Sequence, residues 1–322
     1  MNPDQITRRE VLRQAAFGGS LLAGYALWRG NAMAEEPRAS SEVSADAAID
    51  AHVHVWTPDT IKYPLSAGYR REEMLPPSFT PEQLIAQMRP CGVGRVVLVQ
   101  MSFYGFDNAY MLDTIKRFPG IFSGIAVIDD SAARPQDEMR RLQRLGVRGF
   151  RIYARNMPVD RWLDGAGMAA MWEYGAKEHL AMCCLVNPAD LPAIDRMCEK
   201  YPDTPVVVDH FGRVGMSGEI RDADVAQLCR LARHRQTHVK VSAFYALGKK
   251  TPPYTDLAPM VRRLVEAFGP QRLMWATDCP YQVQGENTYR DSIELVRSRL
   301  DFLSPEDRQW LLRKTAALVF FG

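Results

Sequence analysis

Eight short apolar runs recur along this chain, each trailed by a longer stretch whose apolar residues are spaced as in a helix, and that alternation leaves few folds open. The runs are 48–55, 95–100, 122–128, 147–153, 181–186, 206–210, 238–241 and 273–277. They are near-continuously apolar, as strands are when helices cover one side and a filled interior lies on the other. Two of the intervening helices carry clear start signals. Thr80-Pro81-Glu82-Gln83 and Ser304-Pro305-Glu306-Asp307 each set a hydroxyl cap, a proline at the first helical position and an acid or amide behind it. The expected fold is therefore α/β, a single-domain (β/α)8 TIM barrel over residues 47–322. An open doubly wound sheet is the competing arrangement. It ordinarily carries a nucleotide loop after its first strand, and neither G-x-G-x-x-G nor a Walker loop follows 48–55.

What precedes the first run reads as a targeting segment. Arg8-Arg9, the modestly apolar stretch from Ala15 to Trp28, and Ala32-Met33-Ala34 come in the order of a twin-arginine export signal with its cleavage site, covering 1–34. Gly18, Gly19 and Gly24 interrupt the apolar stretch, which is short for a bilayer, so no stable membrane anchor is expected after cleavage. Residues 35–46 are polar and read as a flexible linker. The expected location is the periplasm, with the twin-arginine export machinery as a partner on the way. The signal holds four Arg and two acidic residues, so the chain's formal charge of +2 falls to zero without it. A neutral body gives no electrostatic footprint for nucleic acid. Six cysteines lie without any CxxC spacing, and free buried thiols are expected rather than disulfides or a zinc ribbon.

In a TIM barrel the chemistry sits at the carboxyl ends of the strands, and the polar residues of this chain fall there. His52 and His54 are two apart on the first run, so alternation puts both on one face. Gln100 and Ser102 end the second run, Arg151 and Tyr153 the fourth, and His210 the sixth; Lys240 and Ser242 share a face of the seventh, and Asp278 ends the eighth. Each alone has an ordinary reading: a snorkelling cation, a hydrogen-bonded core histidine, a helix N-cap. Gathered at one end of a barrel, they are costly polar groups that a common cavity would satisfy.

The histidine pair, Asp209-His210-Phe211-Gly212-Arg213 and Trp275-Ala276-Thr277-Asp278-Cys279-Pro280 resemble the amidohydrolase superfamily, in its amidohydrolase-related branch. Val99-Gln100-Met101-Ser102, Gly105-Phe106-Asp107-Asn108, Gly124-Ile125-Ala126-Val127 and Gly146-Val147-Arg148-Gly149-Phe150-Arg151 are similar to its lactonase subgroup, whose members open pyrone-type and sugar lactones. The resemblance runs from about Ile49 to the C-terminus. The wider superfamily bridges two metals with a carboxylated lysine on strand four and adds a histidine on strand five; here those strands offer Arg151 and no histidine. The resemblance thus implies one divalent ion, zinc being the first candidate, held among His52, His54, His210 and Asp278, or a metal-free site.

The activity so implied is hydrolysis of a small-molecule lactone. Asp278 would take a proton from water as general base, while His52, His54 and His210 stabilise the oxyanion, directly or through the ion. Arg151 would hold a substrate carboxylate or ring oxygen, with Tyr153, Gln100, Ser102 and Tyr245 completing the binding site. Two departures from the subgroup bear on substrate. Ser242-Ala243-Phe244-Tyr245-Ala246 stands where an arginine usually ends the motif, which argues against a dicarboxylate, and Tyr281 replaces a histidine after Pro280. The insertion 57–78 is long for a βα connection and is expected either to cover the barrel mouth or to decorate the surface. A metal-dependent decarboxylase of the same branch is the alternative reading, and a non-catalytic periplasmic binding protein a further one. The absence of Gly-x-Ser-x-Gly argues against a serine esterase.

Overall fold

The computed structural model describes residues 46–154 and 157–322. The expected export signal, and the linker up to residue 45, lie outside the described residues. Parallel strands β1 (Ala48–Val53), β2 (Val93–Val99), β3 (Phe122–Ala126), β4 (Val147–Ile152), β5 (Ala181–Cys184), β6 (Val206–Val208), β7 (Thr237–Val241) and β8 (Leu273–Trp275) lie in chain order in one sheet. Helices alternate with them: α1 (Pro81–Met88), α2 (Ala109–Arg117), α3 (Pro135–Gln143), α4 (Ala166–Glu178), α5 (Leu191–Lys200), α6 (Asp222–Arg230) and α7 (Ala258–Phe268). After β8 come α8 (Tyr289–Glu294), α9 (Pro305–Gln309) and α10 (Thr315–Phe320). This is the expected TIM barrel.

Seven of the strands stop one or two residues before the apolar runs do. β6, for instance, ends at Val208 rather than at His210. The ring closes between β1 and the segment after β8: Asp278 donates its backbone N–H to the His52 carbonyl at 2.9 Å, and His54 donates to that of Cys279 at 2.8 Å. Ile49, Ala51, Val99, Ile125, Val207 and Met274 fill the interior, and Phe320 of α10 packs with them. Full burial of such side chains stabilises by about 1.5–3 kcal/mol each.

Both capping motifs form. Thr80 Oγ1 accepts from the Gln83 N–H at 3.4 Å while Gln83 Oε1 accepts from that of Thr80 at 2.7 Å, and Ser304 and Asp307 repeat the exchange at 3.1 and 2.8 Å. The six cysteines are unpaired, five of them buried. Among the described residues no helix is long and apolar enough to cross a membrane.

The first strand is less regular than simple alternation implies. Asp50 pairs with Val96 and Val53 with Leu98, so β1 spends one more residue than β2 over that interval, a bulge. Ile49 and Ala51 join the barrel interior, while Asp50 meets the Tyr289 hydroxyl of α8. His52, within the bulge, and His54, after it, converge on the mouth. Such bulges re-aim side chains beside active sites.

Candidate active site

The two imidazoles from β1 meet with their Nε2 atoms 3.3 Å apart. His54 Nδ1 lies 2.8 Å from the Val99 carbonyl, which can only accept, so Nδ1 carries the proton and Nε2 keeps its lone pair. His210 follows β6, with Nδ1 2.8 Å from Ser242 Oγ. That hydroxyl donates in turn to the Lys240 carbonyl at 3.4 Å and so accepts from the imidazole, leaving His210 Nε2 as an acceptor too. Asp278, after β8, brings Oδ1 within 3.2 Å of His54 Nε2 and 3.5 Å of His52 Nε2, and Oδ2 within 3.8 Å of His210 Nε2. The Tyr245 hydroxyl donates to Oδ2 at 2.7 Å.

A second charged group lies beneath. Asp209 is wholly buried, with Oδ1 3.0 Å from Lys240 Nζ and Oδ2 3.3 Å from Arg151 Nη2. Lys240, which its sequence position allows to be a snorkelling cation, is instead fully enclosed. Arg151 thus spends its guanidinium on Asp209 and lies 3.4 Å from His52 Nε2. Burial pushes Asp209 up, but Lys240, His52 and Arg151 outweigh it and hold the carboxyl well below its usual range. Asp278 behaves alike, with the imidazoles of His210, His54 and His52 overcoming burial. Burial, with Lys240 beside it, lowers His52 well below its ordinary value, and burial takes His210 down to about 3. At neutral pH the site therefore holds carboxylates at Asp209 and Asp278 and neutral imidazoles at His52 and His210.

Three strand ends adopt left-handed backbone at residues other than glycine: His210 (φ 52°) with Phe211 (φ 54°) after β6, Ala243 (φ 57°) after β7 and Asp278 (φ 67°) after β8. Each such residue costs on the order of 1–3 kcal/mol and persists only where its surroundings fix it. At Asp278 the fixing is visible. Asp50 accepts from Thr277 N at 2.9 Å, Thr277 Oγ1 at 2.5 Å and the Tyr289 hydroxyl at 2.7 Å, anchoring the residue before Asp278 to β1.

The remaining sequence candidates are spread around this centre. Tyr153 and Arg151 line one depression with Phe106, Val127 and Asp130. Gln100 donates its amide to the Asp107 carbonyl at 2.6 Å, and Ser102 opens the short turn Ser102–Tyr104 beside it. Tyr281 sits between His54 and Tyr245, its ring centroid 6.1 and 6.4 Å from theirs. The 57–78 insertion folds against the segment after β2: Ser66 N–H donates to the Phe103 carbonyl at 2.8 Å, and the Tyr63 hydroxyl to Asp113 at 2.6 Å. Asp209 and Asp50 are the residues of this centre to which the sequence reading gave no role, and Lys240 was placed at a strand end without its partner. The signal for the first was the polar pair Asp209-His210 closing a run of three valines.

A cation would suit this arrangement. His54 Nε2 and Asp278 Oδ1 are acceptors facing each other, and Asp278 Oδ1 and His210 Nε2 are buried without a hydrogen-bond partner. Two groups, His52/His54/Asp278 and His52/Asp209/His210, each bring ligand atoms within 4.8 Å of one another. Imidazole nitrogens with a carboxylate oxygen are a donor set that zinc accepts.

The amidohydrolase family model matches residues 49–322. An L-fucono-1,5-lactonase of Burkholderia ambifaria is 28% identical over 242 residues, which is 72% of this chain and 80% of that protein. A 4-sulfomuconolactone hydrolase of Hydrogenophaga intermedia is 29% identical over 263 residues, 81% of this chain and 84% of its own. Among solved structures, a Pseudomonas putida protein described as a candidate 2-pyrone-4,6-dicarboxylic acid hydrolase aligns with a TM-score of 0.71 at 28% identity, covering 85% of this chain and 97% of that one.

Proposed function

The chain belongs to the amidohydrolase family, and from that premise we propose that it hydrolyses a lactone by attack of an Asp278-activated water on the ring carbonyl. The observation that carries the proposal is the Asp278 carboxylate, buried, kept ionised and ringed by three imidazoles at the barrel mouth. Three relatives named as hydrolases of cyclic esters support the substrate class. Asp278 takes a proton from water as the oxygen bonds to the carbonyl carbon, and donors in the site hold the tetrahedral oxyanion. Collapse then breaks the ring C–O bond, and the proton passes to the departing oxygen, giving a ring-opened hydroxy acid. A divalent ion held among His52, His54, His210 and Asp278 would supply Lewis-acid polarisation of that carbonyl.

Since Arg151 is already paired with Asp209 and Ala246 stands where the lactonase motif that this chain resembles commonly ends in arginine, the proposal favours a neutral or singly charged lactone over a dicarboxylate. Export is part of it: Arg8-Arg9 and Ala32-Met33-Ala34 support a periplasmic enzyme that meets sugar-derived or plant-derived aromatic lactones. Finding the mature protein in the cytoplasmic fraction would remove that part. The reaction is tested on a panel of sugar lactones and pyrones with products identified. Asp278→Asn is expected to lower kcat by about 10²–10⁴-fold. Unchanged turnover, or release of carbon dioxide in place of a hydroxy acid, would defeat the hydrolytic reading.

A further inference from the structure

We propose that the groove between the loops after β3 and β4 is a subsite for a side chain of the substrate, and that the lactone opened here carries an apolar substituent, alkyl or aryl, in place of the hydroxyls of a sugar. The groove encloses about 350 Å³. Pockets for small molecules begin at about 300 Å³, and a dry cavity of about 150 Å³ already takes a benzene ring. Among the described residues that line it, only Asp130 and Ser131 carry polar side chains, and Ala132, Met157, Ala166 and Met168 supply the apolar ones. A hydroxylated chain would give up its water there for few partners, whereas an alkyl chain or a phenyl ring sheds only unfavourable hydration.

The walls are tied to each other. A Cβ on Gly167 would lie 2.0 Å from the Asp130 carbonyl oxygen, so the first turn of α4 rests backbone to backbone on the loop after β3. That loop is held in turn by Asp129, whose Oδ1 accepts from the Ser131 N–H at 3.0 Å and from its hydroxyl at 2.6 Å. Met157 lies over Gly165, its methyl 3.4 Å from where a Cβ would stand, and a thioether chain adapts its shape to what it covers.

The groove adjoins the catalytic centre. Both loops leave the carboxyl ends of their strands, the end at which a barrel of this kind holds its substrate. Asp130 also lines the depression formed with Phe106, Arg151 and Tyr153, and Arg151 Nη2 is 3.4 Å from His52 Nε2, itself 3.5 Å from Asp278 Oδ1. Phe106 keeps 39% of its surface exposed and extends the apolar lining between the two. A lactone with its carbonyl at Asp278 and its ring beside Arg151 directs a ring substituent past Phe106 into the groove. The preference in turnover rests on the lactonase reading; the apolar subsite does not.

The test is a series of δ-lactones bearing methyl, propyl, pentyl or heptyl on the carbon next to the ring oxygen, set against a polyhydroxylated δ-lactone of the sugar type. Between methyl and heptyl kcat/KM should climb by about 60-fold or more, the worth of three buried methylenes at about 4-fold each. A flat series, or a sugar-type lactone opened faster than the heptyl compound, overturns the proposal. Ala132→Phe and Ala166→Phe fill the groove from its two walls, at positions half-buried and exposed. In whichever of them folds, the heptyl-to-methyl ratio should fall by about 10-fold or more, and a ratio equal to the native one refutes the place given to the groove. Binding is read without turnover from the NMR signals of methionine methyls, assigned by Met157→Leu and Met168→Leu. The heptyl δ-lactam, which resists hydrolysis, should shift the Met157 and Met168 signals of the native protein, and signals that it leaves unmoved overturn the subsite. If no lactone is opened while those signals shift, the reaction reading fails and the apolar subsite stands.

Discussion

Replacing Tyr245 by phenylalanine removes one hydroxyl, the one that donates to Asp278 Oδ2 at 2.7 Å. A hydrogen bond to an ionised acceptor is worth about 1.5–3 kcal/mol. It favours carboxylate over carboxylic acid, so its loss raises the pKa of Asp278. At about 1.36 kcal/mol per pKa unit the rise is about 1 to 2. The base works only when ionised, and the acidic limb of the kcat/KM profile should therefore move to higher pH by that amount. Well above the limb the loss should be smaller, because a less stabilised carboxylate is a stronger base. The assay is the initial rate of lactone disappearance across pH for native enzyme and Tyr245→Phe. An acidic limb that stays in place would refute the reasoning, since either the hydroxyl would not bond the working carboxylate or Asp278 would not be the titrating base.

Burial raises Asp50 from 3.8 to about 6. The folded chain therefore holds that proton more tightly than the unfolded one, and the resulting stability is present below 3.8 and lost as pH rises through about 6, up to about 3 kcal/mol. Asp50→Asn lacks this step, so urea unfolding of the two proteins should differ in opposite senses on the two sides of the window relative to its middle; a difference independent of pH would be contrary evidence. A Cβ on Gly167 would lie 2.0 Å from the Asp130 carbonyl oxygen, and Gly167→Ala should cost about 1–3 kcal/mol by overpacking, read from the denaturation midpoint. Thr80→Ala removes the α1 cap and should cost about 1 kcal/mol; a melting temperature equal to the native one would show that the cap does not matter.

The barrel was legible because its strands are buried on both faces and so read as uninterrupted apolar runs, and because hydroxyl–proline caps mark helix starts by local chemistry. The corner made by His52, His54, His210 and Asp278 was legible for a related reason: polar residues closing apolar runs have few places to go in this fold. The partners of each group were not. Arg151 could be placed at the mouth, but its pairing with Asp209 depends on β4 and β6 being near each other across the ring, a distance no local pattern contains. Gln100 looked like a binding residue, yet its amide is taken by a backbone carbonyl seven positions on. The bulge in β1 was hidden as well, since every residue from Ala48 to Val53 is buried and burial gives no hint of which way each faces. The left-handed residues after β6, β7 and β8 fall on His210, Ala243 and Asp278 rather than on glycines, and His and Asp are only modestly enriched in that conformation.

The contacts that close the ring between β1 and the segment after β8 are made by the residues that build the site. Asp50 reaches Thr277 across 227 positions of sequence, and the backbone of Asp278 hangs on that of His52. Contacts so distant in sequence are costly in loop entropy and form late. A chain that has assembled most of its sheet but not joined the first strand to the last holds His52 and His54 on one edge and Asp278 on the other, and is chemically inert. Turnover is then a direct gauge of whether this seam is shut. Slight denaturation should silence the protein before its helices melt, and the amide protons of His54 and Asp278 should exchange in step with the loss of activity.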